Sequence, residues 1–303
     1  MTSLPLPASN PRRRSILCLL LAAWALVAAA SRASALCCVW RVTDDAGHTL
    51  YVAGSVHSLR ATDYPLPAPY ETAYRASAAL AFEHDPADSS ERFGQAWRDA
   101  ARYPSNGRLK DHVDPRTYAY ILRVIGNVHG STEPEKRIEH LRPWAIMYQL
   151  ESSNGLQGLS RSFGVEAYLT EKARRDHKTM VGLVPLRDHI AVFGKMNDAD
   201  SEAALLLAFI HLNTGDKTFQ QTVVDWKRGD VAGVERMSDE EFRDAPGLRR
   251  RMLSDRNAAW MPKIEGYLRS GKTWMVVAGA AHMAGGDGVP ALLRARGYHV
   301  EQL

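Results

Sequence analysis

The sequence predicts an α/β protein with a central mixed sheet formed by the N- and C-terminal parts of the chain, helices on both faces and a helical insertion in the middle. Three observations predict this class. Short apolar runs bounded by turn residues lie near both ends of the 303-residue chain and are typical of strands. Helical patterns with capping residues occupy the region between them. The chain closes with a strand, a helix and a last strand, an order typical of α/β units.

The N-terminal part is predicted to supply three strands. Val39–Val42 and Leu50–Val56 are apolar runs separated by a turn that contains Asp and Gly, a pattern that predicts a hairpin. A helix is predicted over Tyr70–Ala79, and Ala79–Phe82 is an apolar run that stops at Glu83.

The middle of the chain is predicted to be mainly helical, and the C-terminal part returns to strands. The predicted helices are Arg92–Arg102, Pro115–Asn127, Pro134–Glu151, Gly164–Lys178, Leu186–Met196, Asp200–Asn213, Phe219–Arg228, Asp255–Arg269 and Val289–Arg296. The remaining strands are predicted at Thr179–Val184, Thr273–Ala278 and Tyr298–Leu303. The start of the helix predicted at Pro115–Asn127 is the clearest, because Asp114 is a typical N-cap residue and Pro115 occupies the first helical position.

Residues 1–35 have the layout of a secretory signal peptide, and residues 36–303 are predicted to form one α/β domain. The cluster Arg12–Arg14 precedes the uncharged run Ser15–Ser31, and Ala33-Ser34-Ala35 supplies small residues for cleavage after Ala35. The apolar run is short for a membrane span. We therefore expect a periplasmic or secreted protein with no stable membrane anchor after cleavage.

The net charge of +4 argues against a nucleic-acid partner once the leader is set aside. Four of the 38 basic residues lie in the first 35 positions, which contain no Asp or Glu, so the rest of the chain balances 34 acidic residues with 34 basic ones. No basic stripe with interleaved aromatic residues remains. The expected partner is a peptide or a small molecule.

Two adjacent cysteines, Cys37 and Cys38, follow the predicted cleavage site. They could form a vicinal disulfide, stay free or link two chains. A simpler expectation is that they lie at a mobile new N-terminus without a redox role.

A six-residue pattern, V-A-G-x-x-H, occurs twice, at residues 52–57 and 277–282, each time after a predicted strand. The C-terminal ends of strands in an open α/β sheet are where ligands bind. We therefore expect His57, His282 and the strand-end Glu83 to meet in one site, with metal binding or acid/base catalysis as its chemistry. The alternative for each is a hydrogen-bonded packing role, but packing alone gives no reason for the same Gly-to-His spacing to occur twice.

Supporting residues are predicted around that trio. Arg256 and Asn257 open a helix, and Arg256 could bind an anionic substrate or orient Glu83. Glu166 is explained by its place in the first turn of a helix. The glycine-rich segment at residues 285–288 is interpreted as a flexible entry into the last helix. No G-x-S-x-G elbow is present.

These motifs together resemble the TraB/GumN family. The resemblance rests on residues 50–57, 82–83, 256–260 and 276–282 with the glycines that follow, and it extends over residues 36–303 through segments at 142–144 and 164–166. It implies membership of the superfamily that includes Tiki proteases, erythromycin esterases and haem-associated ChaN lipoproteins. It also implies an α/β fold with the motif residues in one cleft, and a divalent ion such as Mn, Co or Zn held by His57, Glu83 and His282, with Arg256 and Asn257 in support.

One departure from the family pattern bears on activity. The family usually has a Glu after the Gly-Leu that ends one strand, and this chain has Val184 there. The leading hypothesis is a periplasmic metal-dependent hydrolase, a peptidase in the Tiki-like case, in which Glu83 completes the metal site or acts as general base. The alternatives are an esterase-like hydrolase without metal, in which His57 or His282 activates water or substrate, and a non-catalytic ligand-binding protein, such as a haem carrier.

Overall fold

A computed structural model of the chain describes residues 36–87, 90–129, 132–153 and 159–303. The predicted signal peptide and its cleavage site lie outside the described residues. None of the described helices is both long and apolar enough to cross a membrane.

Six strands form one mixed sheet. They are β1 Val39–Thr43, β2 Thr49–Ser55, β3 Ala79–His84, β4 Thr179–Val184, β5 Trp274–Gly279 and β6 His299–Gln302. Their order across the sheet is β4-β3-β5-β2-β1-β6. Strands β2, β5, β3 and β4 are parallel, and β1 is antiparallel to both β2 and β6. The sheet is therefore built from both ends of the chain, as the sequence predicts.

Helices connect and cover the strands. They are α1 Ala68–Ala76, α2 Ser90–Ala100, α3 Pro115–His129, α4 Pro134–Ile138, α5 Pro143–Ser153, α6 Val165–Arg175, α7 Leu186–Gly194, α8 Asp198–Arg228, α9 Val231–Glu241, α10 Asp255–Leu268 and α11 Val289–Ala295. A helical turn at Pro246–Arg249 and a π-helical segment at Arg250–Ser254 lead into α10.

Most of the buried apolar residues in the described part of the chain fall into two clusters. One surrounds the sheet and includes the fully buried strand residues Val52, Leu80 and Val276. The other lies among the middle helices, around residues such as Trp144 and Leu205. The helical insertion therefore has a core of its own, which explains why it folds as a layer rather than as a set of loops.

Three helix predictions differ from the structure. The helix predicted over Pro134–Glu151 is two helices, α4 and α5, because Pro143 lacks an N–H and begins α5 at its first position. The two helices predicted between Asp200 and Arg228 are one continuous α8, which packs along α5 and α9. Tertiary packing overrides the weak helix propensity of the intervening residues. Helix α9 was not predicted.

The expectation of a mobile N-terminus at Cys37 and Cys38 is wrong. Both thiols are free and buried in the cluster around the sheet. The Cys37 N–H donates to the carbonyl of Leu303 at 2.7 Å, which ties this segment to the last strand. Burial raises the pKa of both thiols to about 12, so they are protonated and inert at neutral pH.

Candidate functional site

The three predicted residues meet at the C-terminal edge of the parallel strands. His57 lies two residues beyond β2, Glu83 is the penultimate residue of β3, and His282 lies in a turn three residues beyond β5. Glu83 Oε1 is 3.8 Å from His282 Nε2. Glu83 Oε1 and His57 Nε2 each lie 3.6 Å from the point that a Cβ on Gly279 would occupy. The chain thus brings both V-A-G-x-x-H histidines and the strand-end carboxylate to one place.

His57 is held by a carboxylate that the sequence analysis explained in another way. Its Nδ1 is 2.7 Å from Oε1 of Glu166, and the Ser55 hydroxyl donates to the same carboxylate oxygen. The Coulombic attraction to Glu166 raises the pKa of His57 to about 9 against the opposing effect of partial desolvation of the ring. At neutral pH His57 is therefore an imidazolium, and its side chain is 60% exposed, so Nε2–H is available to a substrate.

The residues around Glu166 show why it reaches His57. Gly164 lies so close to the turn after β2 that a Cβ there would be 2.2 Å from the carbonyl oxygen of His57. The Val165 N–H donates to the carbonyl of Val56 at 3.1 Å. Only glycine permits this approach, so the Gly that precedes Glu166 was the sequence signal that could have identified it as a site residue.

Glu83 is an ionised carboxylate with two defined partners. Its Oε2 accepts a hydrogen bond from Arg256 Nη2, and its Oε1 accepts one from the Gly279 N–H at 2.9 Å. Burial alone would raise the pKa of Glu83, but the charges of Arg256 and His57 hold it well below its usual range. The predicted role of Arg256 as the group that orients Glu83 agrees with this contact.

His282 has the opposite protonation state from His57. Its Nδ1 is 2.7 Å from Asn257 Oδ1, and Asn257 Nδ2 donates to the carbonyls of Asp287 and His282 at 2.9 and 3.4 Å. Because that amide nitrogen is committed to carbonyls, the amide oxygen must accept, which assigns the His282 proton to Nδ1. Its Nε2 accepts from Arg256 Nη1 at 3.1 Å. Burial lowers the pKa of His282 to about 3, so it is neutral.

The glycine-rich segment anchors this arrangement rather than serving only as a flexible entry. Asp287 accepts hydrogen bonds from Arg249 at 2.8 Å and from the Ser254 hydroxyl, and its carbonyl accepts from Asn257. Arg249 directly precedes the π-helical turn before α10, and Ser254 is the last residue of that turn. π-Bulges are frequent at functional sites, and this one leads directly into the helix that carries Arg256 and Asn257.

The predicted metal-ligand set of His57, Glu83 and His282 has suitable donors but not a suitable arrangement. In both histidines an oxygen acceptor holds Nδ1, as in many metal sites. However, the guanidinium of Arg256 donates to His282 Nε2 and to Glu83, so a metal ion would have to displace it from both. Among the described residues, no group of three His, Cys, Asp or Glu side chains is arranged to hold a metal ion.

Comparison with known proteins identifies relatives of the whole domain. The family model described as the TraB/PrgY/gumN family matches residues 38–302. The chain is 22% identical over 250 residues to "Uncharacterized protein YbaP" of Escherichia coli (strain K12), a match that covers 80% of this chain and 87% of that protein. The protein of the same name from Shigella flexneri matches to the same extent. No solved structure matches the chain significantly.

Proposed function

The chain belongs to the TraB/PrgY/gumN family, and from the geometry of its site we propose that it is a hydrolase that cleaves an ester or amide bond, with His57 as proton donor and Glu83 as the group that binds the attacking water. The observation that carries the proposal is the pair of opposite charges that face Gly279: an imidazolium at His57 and a carboxylate at Glu83. Titratable neighbours whose pKa values are driven apart are typical of acid/base pairs.

Each group has a defined part in the reaction. A water bound to Glu83 Oε1 attacks the carbonyl carbon while its proton passes to the carboxylate, and the Nε2 proton of His57 stabilises the charge on the carbonyl oxygen. His57 then gives that proton to the leaving oxygen or nitrogen as the acyl bond breaks. Transfer of the proton on Glu83 to His57, directly or through solvent, restores both groups. Because Glu83 is a weak base, its main contribution is to orient water and stabilise the positive charge that develops on it.

The other residues position these two. Glu166 keeps the imidazole of His57 charged and correctly turned through its contact at 2.7 Å. Arg256 lies between Glu83 and His282 and prevents Glu83 from taking up a proton at rest. Asn257 sets the tautomer of His282, which in turn accepts from Arg256. Removal of any of them is expected to lower kcat more than KM, because they act on the charges of the transition state.

The proposal is tested with the purified domain, without the leader, on a panel of aryl esters, aliphatic esters and short peptides with and without a chelator. We expect hydrolysis that survives exhaustive chelation, is abolished by His57→Ala and Glu83→Gln, and declines above pH about 9 as His57 loses its proton. His48 is a matched control, since its Nδ1 contacts Asp44 at 2.8 Å outside the site, and His48→Ala should retain full activity.

Three outcomes would contradict it. A rate that rises with pH up to about 9 would make neutral His57 the general base. Equal activity in wild type and His57→Ala would remove His57 from the chemistry. Absence of hydrolysis over the whole panel, together with tight binding of a small ligand such as haem, would favour the non-catalytic binding protein.

A metal-dependent hydrolase is the second candidate: the oxygen acceptors on Nδ1 of both site histidines favour it, but it requires Arg256 to leave both Glu83 and His282. In that case His57, Glu83 and His282 would hold Mn, Co or Zn, whose chemistry would be to polarise the carbonyl and acidify water. Metal analysis of wild type and of the double variant His57→Ala/His282→Ala, after incubation with each ion, distinguishes the two. Equal metal content in both proteins would eliminate the metal candidate. In either case we propose that the protein acts in the periplasm, which the leader-like first 35 residues support.

A further inference from the structure

The short helical turn before α6 lies directly beside His57 and contains a residue that the proposed mechanism does not use, Arg161. Leu59, just after His57, exchanges backbone hydrogen bonds with Ser160 at 3.3 and 2.9 Å. The carbonyl oxygens of His57 and Arg161 lie 2.2 and 3.1 Å from the point that a Cβ on Gly164 would occupy, so the two backbones meet there. Backbone contacts therefore fix Arg161 next to the proposed proton donor.

The side chain of Arg161 is exposed, and a tyrosine of the helical insertion orients it. Its Nη1 donates to the hydroxyl of Tyr148 at 2.8 Å, and its guanidinium carbon lies 4.6 Å from the centre of the Tyr148 ring. That ring packs in turn against Trp97, with ring centres 4.6 Å apart. A guanidinium has five N–H donors, and this contact uses one of them. The group is thus oriented while most of its donors stay available to a ligand.

The charge of Arg161 has no counterpart in the described part of the site. Arg256 faces Glu83, and His57 faces Glu166, but no carboxylate among the described side chains pairs with Arg161. Its positive charge acts on His57, because it lowers the pKa of that imidazole against the stronger effect of Glu166. Two cations that share one carboxylate leave an excess of positive charge, which attracts an anionic ligand group.

We infer that Arg161 determines specificity by binding a carboxylate of the substrate on the leaving-group side of the cleaved bond. The inference rests on the proposed hydrolase function, in which His57 protonates the leaving atom. Because Arg161 lies beside His57, a carboxylate close to the leaving atom would face its guanidinium. The fork of N–H donors matches the two oxygens of a carboxylate. The substrate class is therefore a peptide or ester whose leaving part carries a carboxylate, either at a C-terminus or on an acidic side chain.

Binding rather than turnover tests this inference, so that its failure is separable from that of the hydrolase proposal. The probe is 4-fluorohippurate, in which one amide bond is followed by a carboxylate, and the reference is the neutral 4-fluorohippuramide. Both are followed by ¹⁹F line broadening on the full domain at physiological ionic strength. We expect wild type to bind the carboxylate at least about fivefold more tightly than the amide.

Variants assign the preference to one side chain. Arg161→Gln should bind the two probes alike, and Arg161→Lys, which keeps the charge without the planar fork, should keep a weaker preference. Arg174→Gln is the matched control: it removes the same charge from an exposed arginine of α6 that faces Glu171 at 3.9 Å, and it should keep the full preference. Circular dichroism confirms that each variant is folded.

A third probe identifies the source of the carboxylate. The N-(4-fluorobenzoyl) derivative of aspartic acid α-amide carries it on a side chain, so tighter binding of this probe assigns an acidic side chain and tighter binding of 4-fluorohippurate assigns a C-terminus.

Equal affinity of wild type for 4-fluorohippurate and its amide would overturn the inference, as would an unchanged preference in Arg161→Gln or a lost one in Arg174→Gln. Ester or peptide hydrolysis without a carboxylate preference would overturn it and leave the hydrolase standing. A carboxylate preference without hydrolysis of any substrate would leave Arg161 as the carboxylate-binding residue and reject the hydrolase.

Discussion

Replacement of Glu166 by Gln removes the carboxylate that keeps His57 charged while preserving the shape of the side chain. At the 2.7 Å between Glu166 Oε1 and His57 Nδ1, the attraction between full charges is about 1.5 kcal/mol in bulk water and about 6 kcal/mol at the effective dielectric near a protein surface. His57 is 60% exposed, so the lower figure is the safer one, and it corresponds to about one pKa unit. The pKa of His57 should therefore fall from about 9 to between its ordinary 6.5 and about 8.

The measurement is a ring-nitrogen NMR titration of the purified domain from pH 5 to 10, with the His57 signals assigned by their loss in His57→Ala. Glu171→Gln is the matched control, because Glu171 is an exposed carboxylate on the same helix that faces Arg174 at 3.9 Å. It should leave the His57 pKa unchanged. A His57 pKa in Glu166→Gln equal to that of wild type would show that Glu166 does not set the charge of His57. The change also has a stability signature: a raised pKa stabilises the folded state at low pH, and that contribution is lost as pH rises from 6.5 through about 9.

Three further predictions concern the supports of the site. Asn257→Ala leaves the buried Nδ1–H of the neighbouring imidazole without an acceptor and should destabilise the domain by about 1–3 kcal/mol in urea unfolding; a change below the measurement error would contradict the assigned hydrogen bond. Gly164→Ala places a methyl group 2.2 Å from the carbonyl oxygen of His57, so it should lower the free energy of unfolding by about 1–3 kcal/mol and should also lower activity. Gly266→Ala, where nothing lies near the new Cβ, is its control and should not destabilise the domain. Cys37 and Cys38, with pKa values of about 12, should react with a thiol reagent at pH 8 only after denaturation; rapid labelling of the folded protein would contradict their burial.

The sheet was predictable because its strands are short apolar runs bounded by turn residues. Every strand core was identified, with ends that differ from the structure by one or two residues. The helical middle was harder. The interruption before Pro143 and the continuity of α8 depend on packing between helices that are far apart in sequence, so local pattern could not decide them. The π-helical turn before α10 has no sequence signature at all.

The two histidines of the site were predictable from the repeated V-A-G-x-x-H pattern. The contact of Glu166 with His57 and the protonation states were not. The two V-A-G-x-x-H patterns lie on β2 and β5, which are adjacent and parallel, so both histidines reach the same edge. Glu166 was missed because a carboxylate in the first turn of a helix is explained without any partner. Its contact with His57 spans more than a hundred positions and depends on the close approach of Gly164. Protonation states were likewise beyond the sequence, because they depend on Arg256 and Asn257 as placed in three dimensions.

The proposed function depends most directly on the opposite protonation states of the two histidines of the repeated motif, His57 and His282. One ring-nitrogen NMR titration of the wild-type domain measures both. We expect His57 to titrate near pH 9 and His282 to stay neutral, protonated at Nδ1, down to pH about 4. Titration of both residues near their ordinary value of 6.5 would contradict it.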